Sequence, residues 1–233
     1  AQALALAART LGTKAYIVMP NTAPAVKVDA VKGYGAEIIL CGPGLDAREK
    51  TSEEVQKKTG ATFIHPSNDM QVILGQGTAA YEFIKEVDYL DVIMTPVGGG
   101  GLIAGTALTA NYLLPEAETV GSEPFGADDA YLSLKTGKIQ PSIKPITIAD
   151  GLKTQLGDQN FPIIIKYVSK IIRVEESEII DSMRYIWERM KIVIEPSSAV
   201  AVAALFRNKD EFKNRHVGII ISGGNVDLDN LPF

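Results

Sequence analysis

The 233-residue chain reads as an α/β protein of two domains, each a mostly parallel open sheet flanked by helices. Short apolar runs alternate along it with longer segments of helical spacing. The apolar runs are continuous rather than alternating, the mark of strands covered on both faces. Hydrophobic residues make up 46% and charged residues 22%, enough for a packed core and against disorder.

The first segment, AQALALAARTLG, carries Ala3, Leu4, Ala7, Ala8 and Leu11 at helical spacing, with Gly12 where such a helix stops. It has no N-cap ahead of it and no signal-peptide layout, so the expectation is a chain whose front lies upstream. AYIVM (15–19) predicts a strand, 23–33 a helix, EIILC (37–41) a second strand, and 46–59 a polar helix. A third short strand is expected at 62–65. After His65-Pro66-Ser67-Asn68 a long helix is expected over 70–87, a strand at 91–96, a helix at 101–114 and a strand at 119–122. Residues 124–160 are rich in Gly, Pro and Asp and read as irregular, with short helices. A strand at 171–174 precedes a helix at 175–191, whose Ile179, Met183, Ile186, Trp187 and Met190 share one face. A helix at 196–206 and the buried strand HVGIIIS (216–222) complete the series. The expected domains are residues 1–67, the remainder of a small α/β domain, and 68–233, the remainder of a large cofactor-binding one.

A net charge of −5 without a basic run argues against nucleic acid and anionic membranes as partners. One cysteine, Cys41, excludes an internal disulfide framework, and two histidines, His65 and His216, leave little for a histidine metal site. Val92 to Pro115 is uncharged and long enough to span a bilayer, but Pro96 and four successive glycines make it a strand, a turn and a helix instead.

The strongest local signal is Gly98-Gly99-Gly100-Gly101 between a strand and a helix. Backbone N–H groups without side chains can converge on an anion, and the helix N-terminus adds positive potential. A phosphate fits; a tight turn that needs glycine for geometry alone is the plainer reading. No Gly-Lys-Ser/Thr follows, which excludes a P-loop. A dinucleotide site competes, since Gly99, Gly101 and Ala104 fit G-x-G-x-x-A and Glu123 ends the next strand. The second signal is Ser222-Gly223-Gly224, again where a strand ends, either a bare turn or a second wall of the same crevice.

AQALALAARTLG, AYIVMPNTAP, VILGQGT, PVGGGGLIAG, TIADGLK, ERMKIVIEPSSAVAVAAL and IIISGGNVDL together resemble the pyridoxal-phosphate serine/threonine dehydratases of the tryptophan-synthase-β fold type (fold type II). Glu123-Pro124-x-x-Ala127-Asp128-Asp129 and Trp187-Glu188-Arg189-Met190-Lys191 look most like the serine racemases of that family. The resemblance spans essentially the whole chain.

It implies a cytoplasmic homodimer that racemises serine and deaminates serine or threonine by β-elimination. A threonine/serine or 3-hydroxyaspartate dehydratase without racemase activity is the near alternative, and a non-catalytic nucleotide-binding regulatory domain the distant one. The resemblance assigns the cofactor phosphate to Gly98, Gly99, Gly100 and Gly101, and the pyridine nitrogen to Ser222. It assigns Mg²⁺ or Ca²⁺ to Glu123, Asp129 and the Ala127 carbonyl, although an acidic loop is by itself ordinary solvated charge. It assigns an ATP effector to Gln2, Ala30, Tyr34 and Lys191. The family's imine-forming lysine and opposite-face serine match no position here and are expected upstream of Ala1, which predicts that this chain alone is inactive. Ser133-Leu134-Lys135-Thr136-Gly137 imitates the lysine motif but lacks its Arg-Gly and sits beyond the acidic loop, so Lys135 is rejected.

Overall fold

The computed structural model describes all residues, 1–233. The chain divides into two units: 1–64 with 225–231, and 65–224 with 232–233. The seam thus falls three residues ahead of the 67/68 boundary, and a tail segment groups with the first unit.

The first unit holds α1 (Gln2–Thr10), β1 (Tyr16–Pro20), α2 (Ala25–Gly33), β2 (Glu37–Cys41) and α3 (Leu45–Thr59). β1 and β2 pair in parallel, Tyr16 opposite Glu37 through Pro20 opposite Cys41. Ala5, Ile17, Met19 and Val31 form its core. The buried stripe of α1 is Ala5 and Ala8, whereas Leu4 and Leu11 face outward, so the expected apolar face is corrected. Small side chains let α1 lie close to its neighbours. α3 buries nothing fully and ends at Gly60 in left-handed geometry.

The second unit carries α4 (Met70–Glu86), β3 (Val92–Pro96), α5 (Gly101–Leu113), β4 (Glu118–Pro124), α6 (Asp129–Thr136), α7 (Phe161–Tyr167), β5 (Val168–Val174), α8 (Glu176–Met190), α9 (Pro196–Arg207) and β6 (Val217–Ile219). Its sheet runs β5-β4-β3-β6, all parallel. From β3 the chain steps outward through β4 and β5, then returns to the other side of β3 as β6. The strand order therefore reverses between β3 and β6, and ligands of open α/β sheets bind beyond the carboxyl ends at such a point.

Every residue of β3 is buried, as its continuous apolar run predicts. α4 and α5 cross at backbone contact: a Cβ on Gly105 would lie 2.3 Å from the Ile73 carbonyl oxygen, and one on Gly77 2.8 Å from that of Gly105. Thr109 Oγ1 donates to the carbonyls of Gly77 and Gly105 at this crossing. α8 buries Ile179, Met183 and Ile186 as expected, with Ser182 between them, while Met190 is exposed. Trp187 donates its indole N–H to the Ile194 carbonyl.

Three expected elements differ. Residues 62–65 form no strand: His65 Nδ1 accepts the amides of Ser67 and Asn68, making a turn, and Phe63 and Ile64 stay exposed. β5 begins at Val168, three residues ahead of the expected strand, and α7 forms over the apolar FPIII run before it, where no helix was expected. β6 spans only 217–219, since the chain beyond Ile220 is drawn to the start of α9.

Candidate active site

The four glycines follow β3 and open α5. Gly100 has φ +84°, and a Cβ there would lie 2.6 Å from Leu156 Cδ2 and 2.8 Å from Asn160 Oδ1. A Cβ on Gly99 would overlap Ser67 Oγ at 2.2 Å, and one on Gly98 would meet the Gly151 carbonyl oxygen at 2.9 Å. A plain turn requires one such position; here every glycine of the run is held by a neighbour. The N–H groups of Gly98, Gly99 and Gly100 donate to no group of the protein. Bare donors at the N-terminus of a 13-residue helix can accept an anion, and the cup fits a phosphate.

The cup's walls come from residues that the sequence reading did not single out. Asn160, wholly buried, donates Nδ2–H to the Gly99 carbonyl (2.7 Å) and the Ser67 carbonyl (2.8 Å) and accepts the Gly157 N–H (3.1 Å). Gln76 donates to the Pro66 carbonyl and lies against Gly101. The asparagine had no sequence signal beyond its place at the end of the irregular stretch LGDQN; VILGQGT did contain Gln76.

Ser222 lies three residues past β6 and is exposed, not at the end of a buried strand. Its Oγ is 3.1 Å from Ser198 Oγ. Ser198, buried in the first turn of α9, accepts the Gly223 N–H at 2.7 Å, and the Gly223 carbonyl accepts the Glu195 N–H. Ser197 Oγ accepts the Gly151 N–H. The PSS run thus ties down both TIADGLK and the second glycine turn. Gly98 to Gly101 and Ser222 follow strands β3 and β6, the pair between which the strand order reverses.

The acidic loop is not solvated charge. Glu123 is 1% exposed and accepts the N–H groups of Ala130 and Tyr131, capping α6 from outside it. Asp128 pairs with Arg173 (2.8 Å), whose guanidinium also stacks on Tyr131 and Phe125. Asp129 is 4% exposed, and neither carboxylate oxygen has a hydrogen-bond partner. Burial pushes the Asp129 carboxyl up to about 7. Burial, then the Asp129 charge, holds Glu123 well above the usual carboxylate range. Two buried carboxyls beside a buried Ala127 fit a hard cation completed by water. No cluster of three or more His, Cys, Asp or Glu side chains suited to a metal occurs.

Of the four nucleotide positions, Ala30 and Tyr34 lie one turn apart at the end of α2, joined by the Tyr34 N–H to the Ala30 carbonyl. Gln2 opens α1. Tyr34 lines a cavity of about 190 Å³ with Ala5, Arg9 and Thr13, which Gln2 and Ala30 do not reach. Lys191 belongs to the second unit, ends α8 at φ +60° and donates to the Glu188 carbonyl. Lys135 and Lys153 are both exposed.

A parallel sheet with a cup of bare glycine amides at its switch point is the arrangement of the α/β class of proteins that bind phosphorylated ligands. The chain belongs to the pyridoxal-phosphate dependent enzyme family, whose model matches residues 1–223. It is 48% identical to the serine racemase of Dictyostelium discoideum over 236 residues, covering 99% of this chain and 72% of that protein. The solved structure of that racemase superposes with a TM-score of 0.89, covering 97% of this chain and 74% of the other. The beta-hydroxyaspartate dehydratase of Paracoccus denitrificans (strain Pd 1222) is 46% identical over 233 residues, covering all of this chain and 74% of that protein. The solved T.th. threonine deaminase is 37% identical with a TM-score of 0.92, covering 97% of this chain and 75% of the other. No helix is long and apolar enough to cross a membrane.

Proposed function

We propose that this chain carries the cofactor end of a serine racemase that also deaminates serine and threonine. What carries the reading is the glycine cup at the switch point, with three amide donors that no protein group uses; the 48% identity to a serine racemase directs it to small hydroxy amino acids. Pyridoxal phosphate supplies an electron sink that acidifies the α-hydrogen of a bound amino acid. Gly98 to Gly101 hold the phosphate by backbone amides. Ser222 meets the ring nitrogen with a neutral hydroxyl, which leaves that nitrogen without an enforced charge and suits proton removal and return over deeper rearrangement. Glu123, Asp129 and the Ala127 carbonyl bind Mg²⁺ or Ca²⁺ and brace the loop that follows β4. The same reading makes the protein a cytoplasmic homodimer with ATP as an effector.

No lysine is among the three atoms nearest a Cβ on any of the cup glycines, and Lys135 and Lys153 are exposed. The imine lysine is therefore assigned to a segment outside this numbering, and the chain alone turns nothing over. Borohydride reduction with pyridoxal phosphate should leave no stable lysyl adduct on it. An adduct on Lys135 or Lys153 accompanied by serine deamination would sink this assignment.

The second reading is a 3-hydroxyaspartate dehydratase, favoured by 46% identity to such an enzyme over all 233 residues. Chiral chromatography decides between them, using the chain joined to the segment that carries the lysine. D-Serine formed from L-serine supports the racemase. Ammonia from 3-hydroxyaspartate with no D-serine supports the dehydratase.

A further inference from the structure

We propose that Asn160 is a positioning residue that sets the polarity of the cup, holding the Gly99–Gly100 peptide so that it offers an N–H and not a carbonyl to the bound phosphate. The inference rests on the reading of Gly98 to Gly101 as the phosphate site.

A trans peptide unit holds its C=O and N–H on opposite sides, and no peptide of this chain is cis. The Gly99 carbonyl is turned onto Asn160 Nδ2 at 2.7 Å, so the Gly100 N–H points the opposite way, where it has no protein partner. The Gly100 carbonyl is already committed to the Ala104 N–H in the first turn of α5. The remaining freedom of this glycine-rich turn is rotation of the Gly99–Gly100 peptide. Glycines on both sides make that rotation sterically cheap, and a rotated peptide would present a carbonyl oxygen to an anion.

Asn160 opposes that rotation. Its second Nδ2 hydrogen goes to the Ser67 carbonyl at 2.8 Å and its Oδ1 accepts the Gly157 N–H at 3.1 Å, so the amide is fixed at both ends. It is 0% exposed, and no water competes for its donors. Leu156 Cδ2 and Asn160 Oδ1 occupy the space beside Gly100. An aspartate in the same place would be isosteric but acceptor-only when ionised, repelling the carbonyl that Asn160 holds.

The test is calorimetric titration of the unmodified chain, Asn160→Asp and Asn160→Ser with pyridoxamine 5′-phosphate and with pyridoxamine, neither of which needs an imine lysine. The unmodified chain should prefer the phosphorylated ligand. Both variants should lose roughly tenfold to hundredfold of that preference while binding pyridoxamine as before. A purely structural role would weaken both ligands together. Retention of the full preference in both variants overturns the role of Asn160 alone; no preference in the unmodified chain overturns the cup and this inference with it. Should both variants fail to fold, NMR of the unmodified chain decides. Inorganic phosphate should shift the Gly100 amide proton downfield, and the Asn160 side-chain amide protons should exchange slowly with solvent. A Gly100 amide indifferent to phosphate while Gly98 and Gly99 respond would overturn the proposal.

Discussion

Beyond β3 the chain turns through four glycines, three with unpaired amide hydrogens; the neighbouring β4 carries Glu123 near its end and turns just past it through Asp128 and Asp129, with the Glu123 and Asp129 carboxyls buried and the Asp129 oxygens unpaired. Two adjacent strand ends therefore carry opposite deficits, one of negative charge and one of positive. They are also built differently. The cup's donors are backbone, so no substitution removes them; it fails when a side chain is added to a glycine or when a support such as Asn160 is taken away. The acidic loop is side chain, so its parts can be deleted singly. Asp128 shows how finely the loop is divided: one residue before Asp129, it has a cationic partner, Arg173 Nη1 at 2.8 Å from its Oδ2.

The largest effect should come from adding to the cup. Gly100→Asp places a carboxylate at a left-handed position already crowded by Leu156 and Asn160. It should weaken binding of pyridoxamine 5′-phosphate by about 1,000-fold or more, several kcal/mol of combined strain and charge repulsion. Unchanged affinity by calorimetry would remove the phosphate from these glycines.

Deletion in the acidic loop should be milder. Mg²⁺ or Ca²⁺ at about a hundred times its Kd should stabilise the chain by about 2.7 kcal/mol, and Asp129→Asn should abolish most of the resulting rise in Tm. Indifference of the unmodified chain to both cations and to chelator would leave the loop without a cation.

The pH dependence sharpens the contrast. Burial holds the Asp129 carboxyl at about 7 against an ordinary 3.8. Between those values the folded chain keeps a proton that the unfolded chain has lost, so without a cation Asp129 lowers stability as pH rises toward 7. In chelator, the Tm of Asp129→Asn minus that of the unmodified chain should therefore increase from pH 5 to pH 8. A difference that stays flat or falls would contradict the buried, unpaired carboxyl.

Ser222 belongs to neither deficit. It is exposed and neutral, so Ser222→Ala should cost roughly tenfold or less in cofactor affinity, measured by the same titration. A loss comparable to that of Gly100→Asp would mean that the ring end, and not the cup, dominates binding.

The strands of the large sheet were legible because continuous apolar runs have few other solutions, and the glycine run because so many successive glycines cost backbone entropy. The acidic loop was legible only through family resemblance: spacing cannot distinguish the buried Asp129 from the surface-tethered Asp128, a difference made by Arg173 45 residues on. Asn160 and Ser198 were missed for a related reason. Their roles are hydrogen bonds to backbone 61 and 25 residues away, Gly99 and Gly223, and no local pattern, in loop or in helix, announces a partner so distant in sequence. The expected strand at 62–65 failed because a histidine that accepts two amides makes a turn where β-propensity suggests a ladder.

The pairing of β3 with β6 joins Val92 to Val217. A parallel pair needs a crossover, and this one spans more than half of the chain. During synthesis the uncharged β3 must wait with one edge open until nearly everything after it has emerged. Contacts of such high order form slowly, and intermediates lacking them expose strand edges that invite aggregation. The crevice between β3 and β6 is thus completed late, and a nascent chain stalled before residue 217 would carry a finished glycine turn on an unfinished sheet.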